Sequence, residues 1–340
     1  MEKLVEDWLE LAQRHIRDIL SKAVEYSDAQ NGLVVFDGDS DLSRVLVRAY
    51  RRALSTATFL DFNSVTPQAV LTAFELMSHS DLVVLIQSNS FRLDAFRIRV
   101  ELFKRGLKVI EHPHLDRMKG QEIQWYIDAL AYDPKYYRDT GRALKGWIDR
   151  AQSAIVDSGG ESLFFESGFE SAKLNVGDYR EMKNVGGQFP IGEVFTEAKD
   201  LEAVHGRIRI FIFADLNFMV NRPPVPITLV IEKGRVREVI DTTLDFEKVL
   251  TAIRADEGEV WVREFGFGMN RAFSKDRVVK DIGTLERMCG VHLSLGAKHA
   301  VYQKPDFRRR HVRHHVDVFV VTETVQLDGV VVFSNGQWIV

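Results

Sequence analysis

The sequence predicts an α/β protein in two parts: an N-terminal α/β domain with a mostly parallel sheet over 1–158, and a strand-rich, barrel-like α+β domain over 159–340. Three observations lead there. In the first half, short and almost wholly apolar segments alternate with amphipathic helical patterns, as in a helix-covered parallel sheet. In the second half, strand–turn–strand pairs dominate. Between them, Ser158-Gly159-Gly160 marks a change of character.

The elements follow in order. Leu4, Trp8, Leu11, Ala12, Ile16, Ile19, Leu20 and Ala23 recur at three- and four-residue spacing, one face of an amphipathic helix. LVVF (33–36) is a buried strand closed by Asp37-Gly38. Residues 41–54 read as a helix and 57–62 as a strand. Residues 66–77 form a helix with Thr66 as N-cap and Pro67 at the first position, where its missing N–H costs little. Residues 81–88 are a strand, 91–106 a helix stopped by Gly106, and 107–112 a strand. Helices are expected at 121–132 and 136–156. Beyond the Gly-Gly pair, 229–239 is a hairpin about Lys233-Gly234, and 246–258 is a helix. Residues 317–340 are a meander turning at Asp328-Gly329 and Asn335-Gly336.

Composition narrows the function. The 45 basic against 49 acidic residues leave no basic excess for nucleic acid, and 45% apolar content argues against disorder. No apolar run reaches the ~18 residues of a membrane span. Acidic residues interrupt the N-terminus where a signal peptide needs an apolar stretch, so a cytoplasmic protein is expected. The single cysteine, Cys289, excludes a Cys-rich metal site, so any metal centre must use His, Asp and Glu.

In the first half, no G-x-G-x-x-G or P-loop pattern follows the first strand, so Asp37, Asp39 and Asp41 read as a solvated turn and helix cap. His112 and His114 sit at the C-terminal end of a predicted strand, where α/β sheets place sites, but have no partner cluster in sequence. In the second half, polar residues enter apolar surroundings. His315 and Asp317 share one face of a strand. Glu193, Glu264, Glu286 and His292 each interrupt apolar sequence. A buried carboxylate is costly unless paired or metal-bound. Four carboxylates and two imidazoles of this kind point to a two-metal site suited to Zn, Mn, Co or Fe.

In order, these residues lie in P-I-G-E-V-F-T (190–196), E-F-G-F-G-M-N (264–270), E-R-M-C-G-V-H-L-S-L-G (286–296) and H-V-D (315–317). This series resembles the thermophilic-type M29 metallo-aminopeptidases over roughly 180–340. The resemblance implies that Glu193, Glu264, Glu286, His292, His315 and Asp317 are metal ligands for two divalent ions (Zn, Co or Mn). It also implies a homodimer acting on a peptide or small amide; the charge balance and the lack of a long apolar run leave neither nucleic acid nor membrane as an expected partner. Where the family carries a tyrosine seven residues after the third-element histidine, this sequence has His299, and Tyr302 stands out of register nearby. Cys289, inside the same element, reads as packing.

The expected chemistry is water-mediated amide hydrolysis, with Glu264 a shared carboxylate and base and His299 donating to the oxyanion. Arg310 and Arg313, just before His315, are candidates for binding an anionic substrate group. Two other classes stay open. One is a mononuclear Fe(II) ring-cleaving dioxygenase resembling the dihydroxypyridine dioxygenases, using His315 and Asp317. The other is a non-peptidase tailoring enzyme or binding protein of modified-peptide or natural-product biosynthesis.

Overall fold

A computed structural model describes residues 2–91, 93, 98–297, 302 and 314–340. The chain forms two compact units, each assembled from separate stretches. The first comprises Met1–Arg138, Asn175–Ile191 and Ala272–Val279; the second comprises Asp139–Leu174, Gly192–Arg271 and Lys280–Val340. Residues 139–158, grouped with the N-terminal part from sequence, therefore pack in the second unit.

The first unit holds a five-stranded parallel sheet. Its order is Thr58–Asp61, Gly32–Phe36, Leu82–Ile86, Lys108–His112 and Gly186–Gln188. The central Leu82–Ile86 strand is buried throughout, as expected for a parallel strand covered on both faces. Leu33, Val35, Val83, Leu85 and Val109 pack on one face against Val70 and Phe74 of the helix Pro67–Glu75. That helix starts as its sequence indicates, with Thr66 accepting from the Ala69 N–H and Pro67 in the first turn.

The acidic turn after the first strand is structural, but its first carboxylate, Asp37, is buried rather than solvated as expected. Asp37 accepts the Ser88 N–H at 2.7 Å. The cap of the next helix is Ser40 rather than Asp41, and Ser40 and Ser43 satisfy each other in a capping box. His112 is enclosed between two tyrosines, its Nε2 2.8 Å from the Tyr50 hydroxyl and its Nδ1 2.9 Å from that of Tyr126. The Tyr126 hydroxyl donates to the Phe189 carbonyl, so it accepts from Nδ1–H, and Nε2 accepts from Tyr50. Burial pulls the imidazole down to about 3. It is a neutral core histidine.

The second unit is built on a curled antiparallel sheet. Here one helix reading is corrected. The expected 136–156 helix stops at Arg150, and Ala154–Ser158 is a strand. Ser158-Gly159-Gly160 turns it into a hairpin with Glu161–Phe165, both glycines at positive φ. Alternation at Ala154, Val156 and Ser158, all buried, is the period-two signal that the helical reading overlooked. The other turns match the sequence: Lys233-Gly234, Asp328-Gly329 and Asn335-Gly336 all lie at positive φ. Among the described residues no helix is long and apolar enough to cross a membrane.

Candidate metal centre

Four neighbouring antiparallel strands carry the site: Glu193–Glu197, Val262–Gly268, Gly290–Gly296 and His315–Val320. Their register decides which residues share a face. Glu193 stands opposite Gly268, and Gly266 opposite both Phe195 and His292. His292 stands opposite Phe319, and Asp317 opposite Ser294. Period two then puts Glu193, Glu264, His292, His315 and Asp317 on one face. Phe265 and Phe267 point to the other, where Phe265 stacks on Phe165 with centroids 4.4 Å apart.

Two local features clear and aim this face. Gly266 leaves the space that the His292 ring occupies: a Cβ there would lie 2.0 Å from Nε2. A β-bulge falls between Val262 and Phe265, setting Arg263 and Glu264 against the single partner Ser294. Ser294 anchors it by accepting the Glu264 N–H at 2.9 Å. Glu286 arrives differently, directly after the short helix Ile282–Leu285, which Asp281 caps through the Thr284 N–H.

Glu193, Glu264 and His292 each offer a ligand atom within 4.8 Å of the others, all buried. His292 Nε2 lies 3.3 Å from Glu193 Oε1 and 3.5 Å from Glu264 Oε1. Neither approach is aligned as a hydrogen bond, so both ring nitrogens are buried without one. His315 Nδ1 donates to the Ala297 carbonyl at 3.0 Å, which turns Nε2 toward Asp317 Oδ1, 3.2 Å away. This backbone contact is the usual device for orienting a ligating imidazole.

The electrostatics favour added positive charge. Burial lowers His292, but Glu193 and Glu264 outweigh it and lift the imidazole to about 10. Burial likewise lowers His315, and Asp317 lifts it to about 10. Burial, with the charges of Asp317 and Glu193, raises Glu286 well above its ordinary value despite Arg287. For Glu193 burial acts upward, yet Arg287 and His292 hold it below its ordinary value. A field that retains two imidazolium protons also favours a cation in their place. Buried His292, Glu193, Glu264 and Asp317, with unbonded atoms on His292 and Asp317, fit a divalent metal of the Zn, Mn, Co or Fe type.

The six sequence candidates thus fall into three groups by geometry. Glu193, Glu264 and His292 form one tight group; His315 and Asp317 form a pair beside it; Glu286 is ion-paired with Arg287. His299, Arg310 and Arg313 lie outside the described residues. Tyr302 directs its hydroxyl at the backbone carbonyls of Ser171 and Phe195, at 3.1 and 3.2 Å. Cys289 is a free thiol that burial pushes up to about 11, consistent with packing. Sequence reasoning missed Arg287, Ser294 and Gly266. Signals existed: S-L-G after His292 and F-G-F-G after Glu264 place the serine and glycines on the ligand face by alternation.

No protein-family model and no curated protein matches the chain. Among solved structures, wild-type AmpT from Thermus thermophilus is similar, with a TM-score of 0.60 at 14% identity, covering 97% of this chain and 99% of that one. Identity that low speaks for the fold alone. The fold is thus a distant M29-like one, carrying a buried Glu/Glu/His group that could hold a metal.

Proposed function

We propose that this protein is a metal-dependent hydrolase of a peptide or small amide, related at a distance to the M29 aminopeptidases. The observation that carries the reading is the gathering of Glu193, Glu264 and His292, from three strands far apart in sequence, into one buried group. These residues would hold the metal, with His315, Asp317 and Glu286 completing the donor set that the motif resemblance implies. A divalent ion bound there would acidify a water and polarise the scissile carbonyl.

The chain's own contributions are positional. Ser294 and the bulge hold Glu264 with its carboxylate on the ligand face, where it takes the proton of the attacking water and returns it to the leaving amine. The buried strands exclude bulk water and so strengthen each charge interaction in the site.

The test is Glu264→Gln, assayed on a panel of aminoacyl amides with metal content measured by elemental analysis. Loss of turnover with metal retained is expected. Unchanged turnover would defeat the base role. One iron per chain with activity dependent on O₂ would replace the hydrolase by the dioxygenase reading. Metal bound with no hydrolysis of any amide would favour the non-peptidase class.

A further inference from the structure

Arg287 is a buried cation set among the carboxylates, with only 7% of its side chain exposed. Nη1 donates to the Gly283 carbonyl at 2.8 Å, which ties the guanidinium to the preceding helical turn. The same nitrogen pairs directly with Glu286 Oε2 and lies 3.6 Å from Glu193 Oε2. Glu193 is therefore divided: Oε2 faces Arg287, while Oε1 faces His292 Nε2. The guanidinium thus meets Oε2 of both carboxylates, but it touches Glu286 directly and stands 3.6 Å from Glu193, so its charge bears most closely on Glu286.

We infer that Arg287 makes the centre electrostatically unequal, so that a first divalent ion binds tightly at Glu193, Glu264 and His292 and a second binds only weakly beside Glu286, His315 and Asp317. The inference rests on the proposed metal binding. A second ion at Glu286 must share that carboxylate with the guanidinium and sit beside its fixed positive charge. Arg287 and Asp317 are buried, so this charge is weakly screened even though Glu286 and His315 are part-exposed. The guanidinium cannot shed its charge to relieve this.

The experiment is a Zn²⁺ titration of the metal-free full chain against a chromophoric chelator, in wild type and Arg287→Met, with cooperative thermal unfolding as the check on folding. Wild type should show one tight ion and a second at least about a hundredfold weaker, and Arg287→Met should narrow that gap to below about tenfold. Two ions of equal affinity in wild type, or an unchanged gap in the variant, would overturn the inference while leaving metal binding intact. No bound ion at all would overturn the metal reading and this inference with it. Should Arg287→Met fail to fold, Glu286→Gln decides. Its first-ion affinity should stay within about threefold of wild type, since Glu286 lies outside the tight group. A fall as deep as that in His292→Ala would place Glu286 in the tight site and end the proposal.

Discussion

Replacing Gly266 by alanine tests the site and the sheet together. The backbone itself tolerates the change, since Gly266 is not among the glycines at positive φ. The obstacle is His292. An added Cβ would lie 2.0 Å from Nε2, 2.2 Å from Cε1 and 2.6 Å from Cδ2. Ordinary contact is about 3.5 Å, so the ring must retreat by roughly 1.5 Å. It has no room to do so: His292 is fully buried, and Phe319 packs against it with centroids 5.6 Å apart. Overpacking of this kind costs ~1–3 kcal/mol, offset by up to ~1 kcal/mol from the lower backbone entropy of unfolded alanine. A net loss of about 1–2 kcal/mol is expected. The larger effect is on metal. A ring moved by more than about 1 Å no longer holds Nε2 in the ligand group, and Zn²⁺ affinity should fall at least about tenfold. Thermal unfolding and chelator competition measure the two effects. An unchanged midpoint with unchanged Zn²⁺ affinity would refute the close approach of glycine and imidazole.

Other predictions concern particular contacts. His112, lowered by burial to about 3, binds no proton in the folded chain where the unfolded chain does. Its contribution to stability is flat above pH 6.5 and declines as pH falls from 6.5 toward 3, by about 2 kcal/mol at pH 5. Denaturant titrations of wild type and His112→Gln at pH 7 and pH 5 should show a smaller acid loss in the variant; equal losses would contradict a buried neutral imidazole. Ser294→Ala leaves the buried Glu264 N–H without its acceptor and should cost ~1–3 kcal/mol while weakening Zn²⁺ binding. A shift below about 0.3 kcal/mol would show that the bulge does not need the hydroxyl. Thr243→Ala removes the side-chain cap of the helix Leu244–Glu257 and should cost about 1 kcal/mol in urea unfolding, with Zn²⁺ affinity unchanged.

The parallel sheet of the first unit was legible because both sides of its strands are buried, which writes continuous apolar runs into the chain. The turns of the second unit were legible because positive φ demands glycine, asparagine or aspartate at fixed offsets. The helix expected at 136–156 was misread at its end, where Trp147, Ile148, Ala151 and Ala154–Ile155 continue a helical spacing into a strand. Which pattern prevails there depends on the strand Thr324–Leu327, which pairs with Ala154–Asp157 across a gap of more than a hundred and fifty residues.

The chemistry of the candidate centre was present in the sequence alone: a cysteine-poor chain with carboxylates and imidazoles set in apolar surroundings implies oxygen and nitrogen ligands. The alternation in H-V-D likewise put His315 and Asp317 together before any fold was known. What only the tertiary structure decided is how the donors group. Register between strands, the bulge at Arg263–Glu264 and the space left by Gly266 bring Glu193, Glu264 and His292 within reach of one another. The same folding delivers a guanidinium to Glu286. Local sequence encodes the face on which a side chain lies, because strand period is local. It does not encode distances across strands, because these depend on pairing between segments remote along the chain.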